Sequence, residues 1–296
     1  MRALRQRDAE ESRVRPSVLS VVTWLQDEMT DLARQTFWGA PVTIEHLHGS
    51  LKGNVHYPPN FSKQDPTKRP AVLMLHGLGG TRDEHSGLFI RAAASLALSG
   101  MIAVRIDFRG AGETGGDTQA MTIETQVQDA ADALDHIREL PFVDVNKLAI
   151  LGLSFGGLTG AVCAGRREDV KALVLWEAPH DMVATMKRLY GPLAVKGVRA
   201  RGYLQAGMLR LGEAFFDTLN ALDVNATIKH YSRPVLVVQG VEDTVVPVDT
   251  AFVWKRGFVA TDTKVHLIQS ADHAFTQEAW AWDAIETTVS WLNQAL

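Results

Sequence analysis

The sequence predicts an α/β protein, a mostly parallel sheet with helices on both faces and an inserted, mainly helical cap. Three observations predict it. From residue 41 onward, short solid apolar runs alternate with helical patterns. A glycine-flanked serine joins one such run directly to a helix, and one interval between runs is too long for an ordinary crossover. Continuous apolar runs are the mark of strands buried on both faces, as in a parallel sheet covered by helices.

The elements follow in chain order. Val18, Val22, Leu25, Met29 and Leu32 recur at spacings of 4, 3, 4 and 3, one apolar stripe on a helix over 17–35. Ser17, after Pro16, is its N-cap candidate. Such a stripe docks on the body, or serves a homodimer contact or a membrane surface. Extended segments near 42–48 and 51–57 flank His48-Gly49-Ser50 and predict a hairpin. The apolar runs are Ala71–Leu75, Met101–Ile106, Lys147–Leu153, Ala172–Trp176, Val235–Gln239 and Lys264–Ile268. Helical patterns lie near 84–99, 122–139, 155–165, 247–259 and 278–294.

Between Trp176 and Val235 the rhythm breaks. Leu204, Met208, Leu211, Phe215, Leu219 and Leu222 suggest one amphipathic helix there. Gly197, Gly202, Gly207 and Gly212 recur every five residues. Each glycine inside a helix costs about 1 kcal/mol against alanine, so the segment reads as a soft cap. The division is thus 1–40 as an N-terminal helical extension, 41–180 with 231–296 as the core, and 181–230 as the inserted cap or lid.

Composition narrows the function. With 46% apolar residues in 296, the chain is not intrinsically disordered. Thirty basic against 34 acidic residues, a net −4, exclude binding dominated by nucleic-acid phosphates. A lone cysteine, Cys163, excludes an internal disulfide and a cysteine-cluster zinc site. The longest apolar runs are strand-length, so no stable membrane insertion is expected. The arginines among residues 1–15 are mixed with Asp8, Glu10 and Glu11, without a sustained apolar signal region. The expectation is a cytoplasmic protein. Seven Lys/Arg against four Asp/Glu in 181–230 read as a solvated face rather than an anion trap.

The chemistry concentrates around Gly152-Leu153-Ser154-Phe155-Gly156-Gly157. A strand running through Gly-x-Ser-x-Gly into a helix is a nucleophile elbow, which lifts the serine hydroxyl above the sheet. A hydroxyl needs a base, and the base an orienting acid. In this arrangement both follow the serine, at the ends of later strands. Asp243 lies just past Val235–Gln239, and His273 just past Lys264–Ile268. Glu242, Glu177 and Asp181 are rival acids. The tetrahedral oxyanion needs donors, for which the backbone N–H groups of Phe155 and Leu78 are the candidates, the latter in His76-Gly77-Leu78-Gly79-Gly80. His76 reads as a structural loop residue rather than a second base.

Other patterns are less specific. Gly110-Ala-Gly112-Glu-Thr-Gly115 matches a dinucleotide fingerprint but does not open a helix, which starts only near Thr122. His46 and His48 share one side of a strand, with no third metal ligand at familiar spacing. Neither a cofactor nor a metal is expected. Cys163 reads as a small buried filler. Phe108, Trp176 and Phe215, with Trp254 and Phe216, are candidates for a substrate pocket and equally for core packing.

These motifs resemble the α/β-hydrolase superfamily, and more narrowly its bacterial cinnamoyl/feruloyl-esterase-like branch, over about residues 70–295. The carriers are His76–Gly80, Glu84-His85, Asp107-Phe108-Arg109-Gly110, Met121–Glu124, Gly152–Gly157, Asp243 and Asp272-His273. The resemblance implies an α/β-hydrolase fold, a Ser154–His273–Asp243 triad, Leu78 and Phe155 oxyanion amides, and a lid in the 181–230 interval. This chain departs in reading HGLGG where the branch often has HGFTG, and in Ala111 and Glu113-Thr114. The expected function is a serine carboxylesterase for small to medium, including aromatic acyl, esters, working through an acyl-enzyme on Ser154. An amidase or peptidase, a thioesterase or a lysophospholipase needs the same triad, and a non-catalytic ligand receptor is the reading from another class.

Overall fold

The computed structural model describes residues 31–59, 61–259 and 261–296. The apolar stripe over 17–35 falls largely outside these residues, as does its Ser17 cap; its described end is helix α1 (Asp31–Phe37). Strands β1 (Ala40–His46) and β2 (Gly49–His56) form the expected hairpin, in register from Ala40 opposite Val55 to His46 opposite Gly49. Then come β3 (Arg69–Leu75), α2 (Leu88–Leu98), β4 (Ile102–Asp107), α3 (Ile123–Glu139), β5 (Val143–Leu153), α4 (Phe155–Gly165) and β6 (Val170–Trp176). The long interval holds α5 (Met182–Tyr190), α6 (Pro192–Lys196), α7 (Val198–Arg201), β7 (Tyr203–Ala206), β8 (Leu209–Gly212), α8 (Glu213–Ala221) and α9 (Val224–Ile228). The chain closes with β9 (Val235–Gly240), α10 (Thr250–Gly257), β10 (Thr263–Ile268) and α11 (Glu278–Ala295).

Among the described residues, eight strands form one sheet in the order β1-β2-β4-β3-β5-β6-β9-β10. β2 pairs antiparallel with β1 and β4; every later pairing is parallel. This is the α/β-hydrolase fold. The alternation along β3 shows why a solid apolar run was required. Ala71, Leu73 and Leu75 face the core under α3 and α4, whereas Val72 and Met74 face the core under α2 and α11. Along Ala71–Leu75 both faces are therefore apolar. Thr122 starts α3 through a capping box with Thr125, two backbone donors satisfied reciprocally. No helix among the described residues is long and apolar enough to cross a membrane.

Two expected helices differ in outline. Instead of one helix across Leu204–Leu222, residues 203–212 form an antiparallel hairpin and the helix begins at Glu213. The physical reason lies in two glycines. Gly207 turns the chain at φ 59°, and Gly212 abuts the Gln119 carbonyl so closely that a Cβ would sit 2.4 Å from it. The helix expected from residue 84 starts at Leu88, because Glu84 is bent out at φ 57°, ψ 176°.

Candidate active site

The sheet delivers six loops to one edge, those after the parallel strands β3, β4, β5, β6, β9 and β10. The crevice past strand C-terminal ends is where ligands of such sheets bind. Ser154 caps α4 with φ 52° and ψ −122°, a strained conformation for a residue with a side chain. It is held there from several sides. Its N–H donates to the Trp176 carbonyl at 2.7 Å, and its own carbonyl accepts from Gly157 and Leu158 at 2.8 and 3.2 Å. The sharp turn requires Gly156, where a Cβ would lie 2.1 Å from the Leu75 carbonyl oxygen.

His273 reaches this serine from the loop after β10. Its Nε2 lies 3.0 Å from Ser154 Oγ, and its Nδ1 lies 2.7 Å from Asp243 Oδ2. An ionised carboxylate only accepts, so Nδ1 carries the proton and Nε2 is free to accept the serine's. Neighbouring Asp272 points away and organises its own loop, accepting from the Ala274 and Thr276 N–H groups at 3.2 and 3.0 Å. Asp243 is fixed by the Val245 and Val246 N–H groups on Oδ1, at 2.6 and 2.8 Å. Burial pushes its carboxyl up, but hydrogen bonds from His273, Glu177 and Val246 outweigh burial and hold it below the ordinary range. A nucleophile, a base and an ionised acid in this order can pass the Ser154 proton to imidazole as Oγ attacks an acyl carbon.

The rival acids sit otherwise. Glu242 is exposed, and Asp181 caps α5 by accepting from the Ala184 N–H at 2.8 Å. Glu177 is buried behind Asp243, and its carboxyl is pushed up to about 11 by burial and by Asp243 beside it. Sequence reasoning weighed it only as a substitute for Asp243; the structure puts both together, with Gln239 between them. The Gln239 side chain had no sequence signal, since it sits at the end of an apolar strand.

The loop after β3 is braced in two ways. Buried His76 spans it, with Nδ1 2.8 Å from the Gly77 carbonyl and Nε2 accepting from the Phe108 N–H at 3.2 Å. Burial lowers its pKa, so it is neutral and structural. Glu84 reaches back to accept the Gly77 N–H at 2.5 Å, which explains its bent backbone. Leu78 lies in this loop, beside Gly79, whose open side is bounded by Leu209 at the start of β8. Phe155 opens α4, so its N–H belongs to the first turn, which has no carbonyl partner within the helix. Its ring meets Phe215 of α8 at 5.4 Å.

Phe108, Trp176, Trp254, Phe215 and Phe216 are all buried. Trp176 donates its indole N–H to Thr288 and Trp254 to the Ala178 carbonyl, at 2.9 and 2.8 Å, which is the bonding of core tryptophans. Cys163 is buried, with its thiol pushed up to about 12. The glycine-rich loop 110–115 wraps the buried Asp107 carboxylate, which accepts the Glu113 and Arg82 N–H groups at 2.9 and 2.7 Å. His46 does find acidic neighbours, Asp129 and Asp132, which sequence spacing hid because they come from α3. Both Asp129 oxygens are already taken by Arg109, at 2.9 and 2.6 Å, leaving His46 and one Asp132 oxygen.

Known proteins resemble the chain in sequence and in fold. The prolyl oligopeptidase family matches residues 89–296. The quorum-quenching protein AidA of Acinetobacter baumannii is 34% identical over 142 residues, 47% of this chain and 44% of that protein. The acylamino-acid-releasing enzyme of Arabidopsis thaliana is 24% identical over 91% of this chain and 35% of that one. The chain spans about half or less of the length of the curated relatives it matches. Among solved structures, Est1E from Butyrivibrio proteoclasticus with ferulic acid bound superposes with a TM-score of 0.72, at 19% identity. That match covers 86% of this chain and 98% of Est1E, and shows a shared fold.

Proposed function

The chain belongs to the prolyl oligopeptidase family of α/β hydrolases, and from that premise we propose that it is a serine carboxylesterase for small to medium esters. One observation carries the reading: the unbroken relay from Ser154 Oγ through His273 to Asp243, with links of 3.0 and 2.7 Å. In the proposed cycle, His273 removes the serine proton as Oγ attacks the ester carbonyl. The Phe155 and Leu78 N–H groups receive the oxyanion, and Asp243 stabilises the imidazolium. His273 then protonates the departing alcohol. Water, deprotonated by the same imidazole, releases the acid from Ser154. The segment between β6 and β9 acts as the lid, with Leu209 over the oxyanion loop and Phe215 against Phe155.

A peptidase reading is favoured by one specific finding, the family itself, with an acylamino-acid-releasing enzyme among the relatives. A panel separates the two: p-nitrophenyl acetate and butyrate, methyl ferulate, and N-acetyl-alanine p-nitroanilide. Ester turnover at least about tenfold above anilide turnover in kcat/KM, abolished by Ser154→Ala, supports the esterase. Preferential anilide cleavage supports the peptidase. Ester turnover undiminished in purified Ser154→Ala would overturn both.

A further inference from the structure

Behind the acid of the relay sits a second carboxyl, Glu177, for which acyl transfer has no evident use. Its backbone holds a φ of 49° and its side chain is fully buried. Oε1 accepts the Gly240 N–H at 2.7 Å, and Oε2 meets the Gln239 amide nitrogen. That nitrogen also lies 3.1 Å from Asp243 Oδ2 and 3.1 Å from the Val246 carbonyl oxygen. An amide brings two hydrogens to these three oxygens, and Asp243 Oδ2 already has a donor in His273 Nδ1, so no spare hydrogen is left to bridge the two carboxylates. A Glu177 oxygen, an Asp243 oxygen and a His273 ring nitrogen all lie within 4.8 Å of one another.

Charge sets the limit on this pair. Two touching carboxylates removed from water do not both stay ionised. Asp272, from the next loop, adds further negative field. His273 faces the pair but is bonded to Asp243. Arg188 reaches the acid loop from α5, where its guanidinium ends on the Val245 carbonyl. A single added hydrogen resolves this, since it removes one charge and bridges the two carboxyls.

We infer that Glu177 is a positioning residue: it holds the one proton of the Glu177–Asp243 pair, donates it in a hydrogen bond to Asp243, and leaves a single negative charge facing His273. The inference rests on the triad reading of the proposed function. One charge stabilises the imidazolium yet lets it release its proton to the leaving alcohol; two would hold that proton too firmly. The Glu177 proton stays in place through the cycle. Replacing Asp243 by asparagine transfers the pair's charge to Glu177, which then stands in part for the missing acid.

The test has two readouts. Infrared difference spectra at pH 8 compare the full-length wild-type protein with Glu177→Gln, without substrate. The inference expects the carbonyl stretch of a protonated carboxylic acid in the wild type and its loss in the variant; no such band would overturn it. Kinetically, Asp243→Asn should keep a residual p-nitrophenyl butyrate rate that falls at least about tenfold further in Asp243→Asn/Glu177→Gln. Equal rates in the single and double variants would overturn the charge transfer, because a purely structural Glu177 predicts equality. Should Asp243→Asn fail to fold, the infrared comparison decides alone. A wild-type protein without turnover but with the band would defeat the proposed function and leave this pair standing.

Discussion

Gly156→Ala probes how the elbow is built. The added Cβ would lie 2.1 Å from the Leu75 carbonyl oxygen and 2.4 Å from that of His76. Ordinary carbon–oxygen contact needs roughly 3.3 Å, so the backbones must part by about 1 Å. Both obstacles are main chain, one at the end of central strand β3, and no rotamer change relieves them. Overpacking of this kind costs about 1–3 kcal/mol, a fall in Tm of roughly 2–10 °C for a chain of this size. The displaced backbone also carries the loop with Leu78. A shift of about 1 Å at a catalytic group lowers kcat by about 100-fold. Differential scanning calorimetry and p-nitrophenyl butyrate kinetics on purified Gly156→Ala read both effects. A variant with wild-type Tm and wild-type kcat/KM would show that the elbow does not depend on that close approach.

Three further outcomes are expected. Arg109→Ala leaves Asp129, fully buried, without its cation, and should cost about 3 kcal/mol in thermal denaturation; adding Asp129→Asn should restore part of it. Cys163, with its thiol near 12, should resist Ellman's reagent at pH 8 in the native protein and react only in denaturant. The raised Glu177 carboxyl gives a pH signature in stability. Below its unfolded value, about 4.3, both states hold the proton; above it only the unfolded state ionises, so stability is lost as pH rises toward about 11. Melting curves at pH 5 and pH 9 should therefore show Glu177→Gln gaining Tm relative to wild type at the higher pH.

The sequence carried the sheet well, because strands buried on both faces leave short solid apolar runs set between helical patterns. β3 and β6 are solid apolar runs for that reason, and the elbow at Ser154 announces itself through glycines that close contacts demand. Asp243 and His273, singled out by their positions past strand ends, lie within hydrogen-bond reach of each other. What was hidden depended on distance in the chain. Nothing local to Glu177 tells that Asp243, in the loop after β9, will fold against it. Asp129 and Asp132 come to His46 from another element, so ligand spacing could not show them. In the segment between β6 and β9, apolar residues at helical spacing also fit a hairpin followed by a helix. There Leu204, Leu211 and Phe215 are all buried, and the glycine turn settles the choice.

Ser154 is expected to be a nucleophile activated by His273. Mass spectrometry after treatment with a fluorophosphonate measures this directly. One adduct is expected, on the peptide carrying Ser154, together with its loss in His273→Ala. An untouched Ser154 in the wild-type protein, or an adduct that survives His273→Ala undiminished, would contradict it.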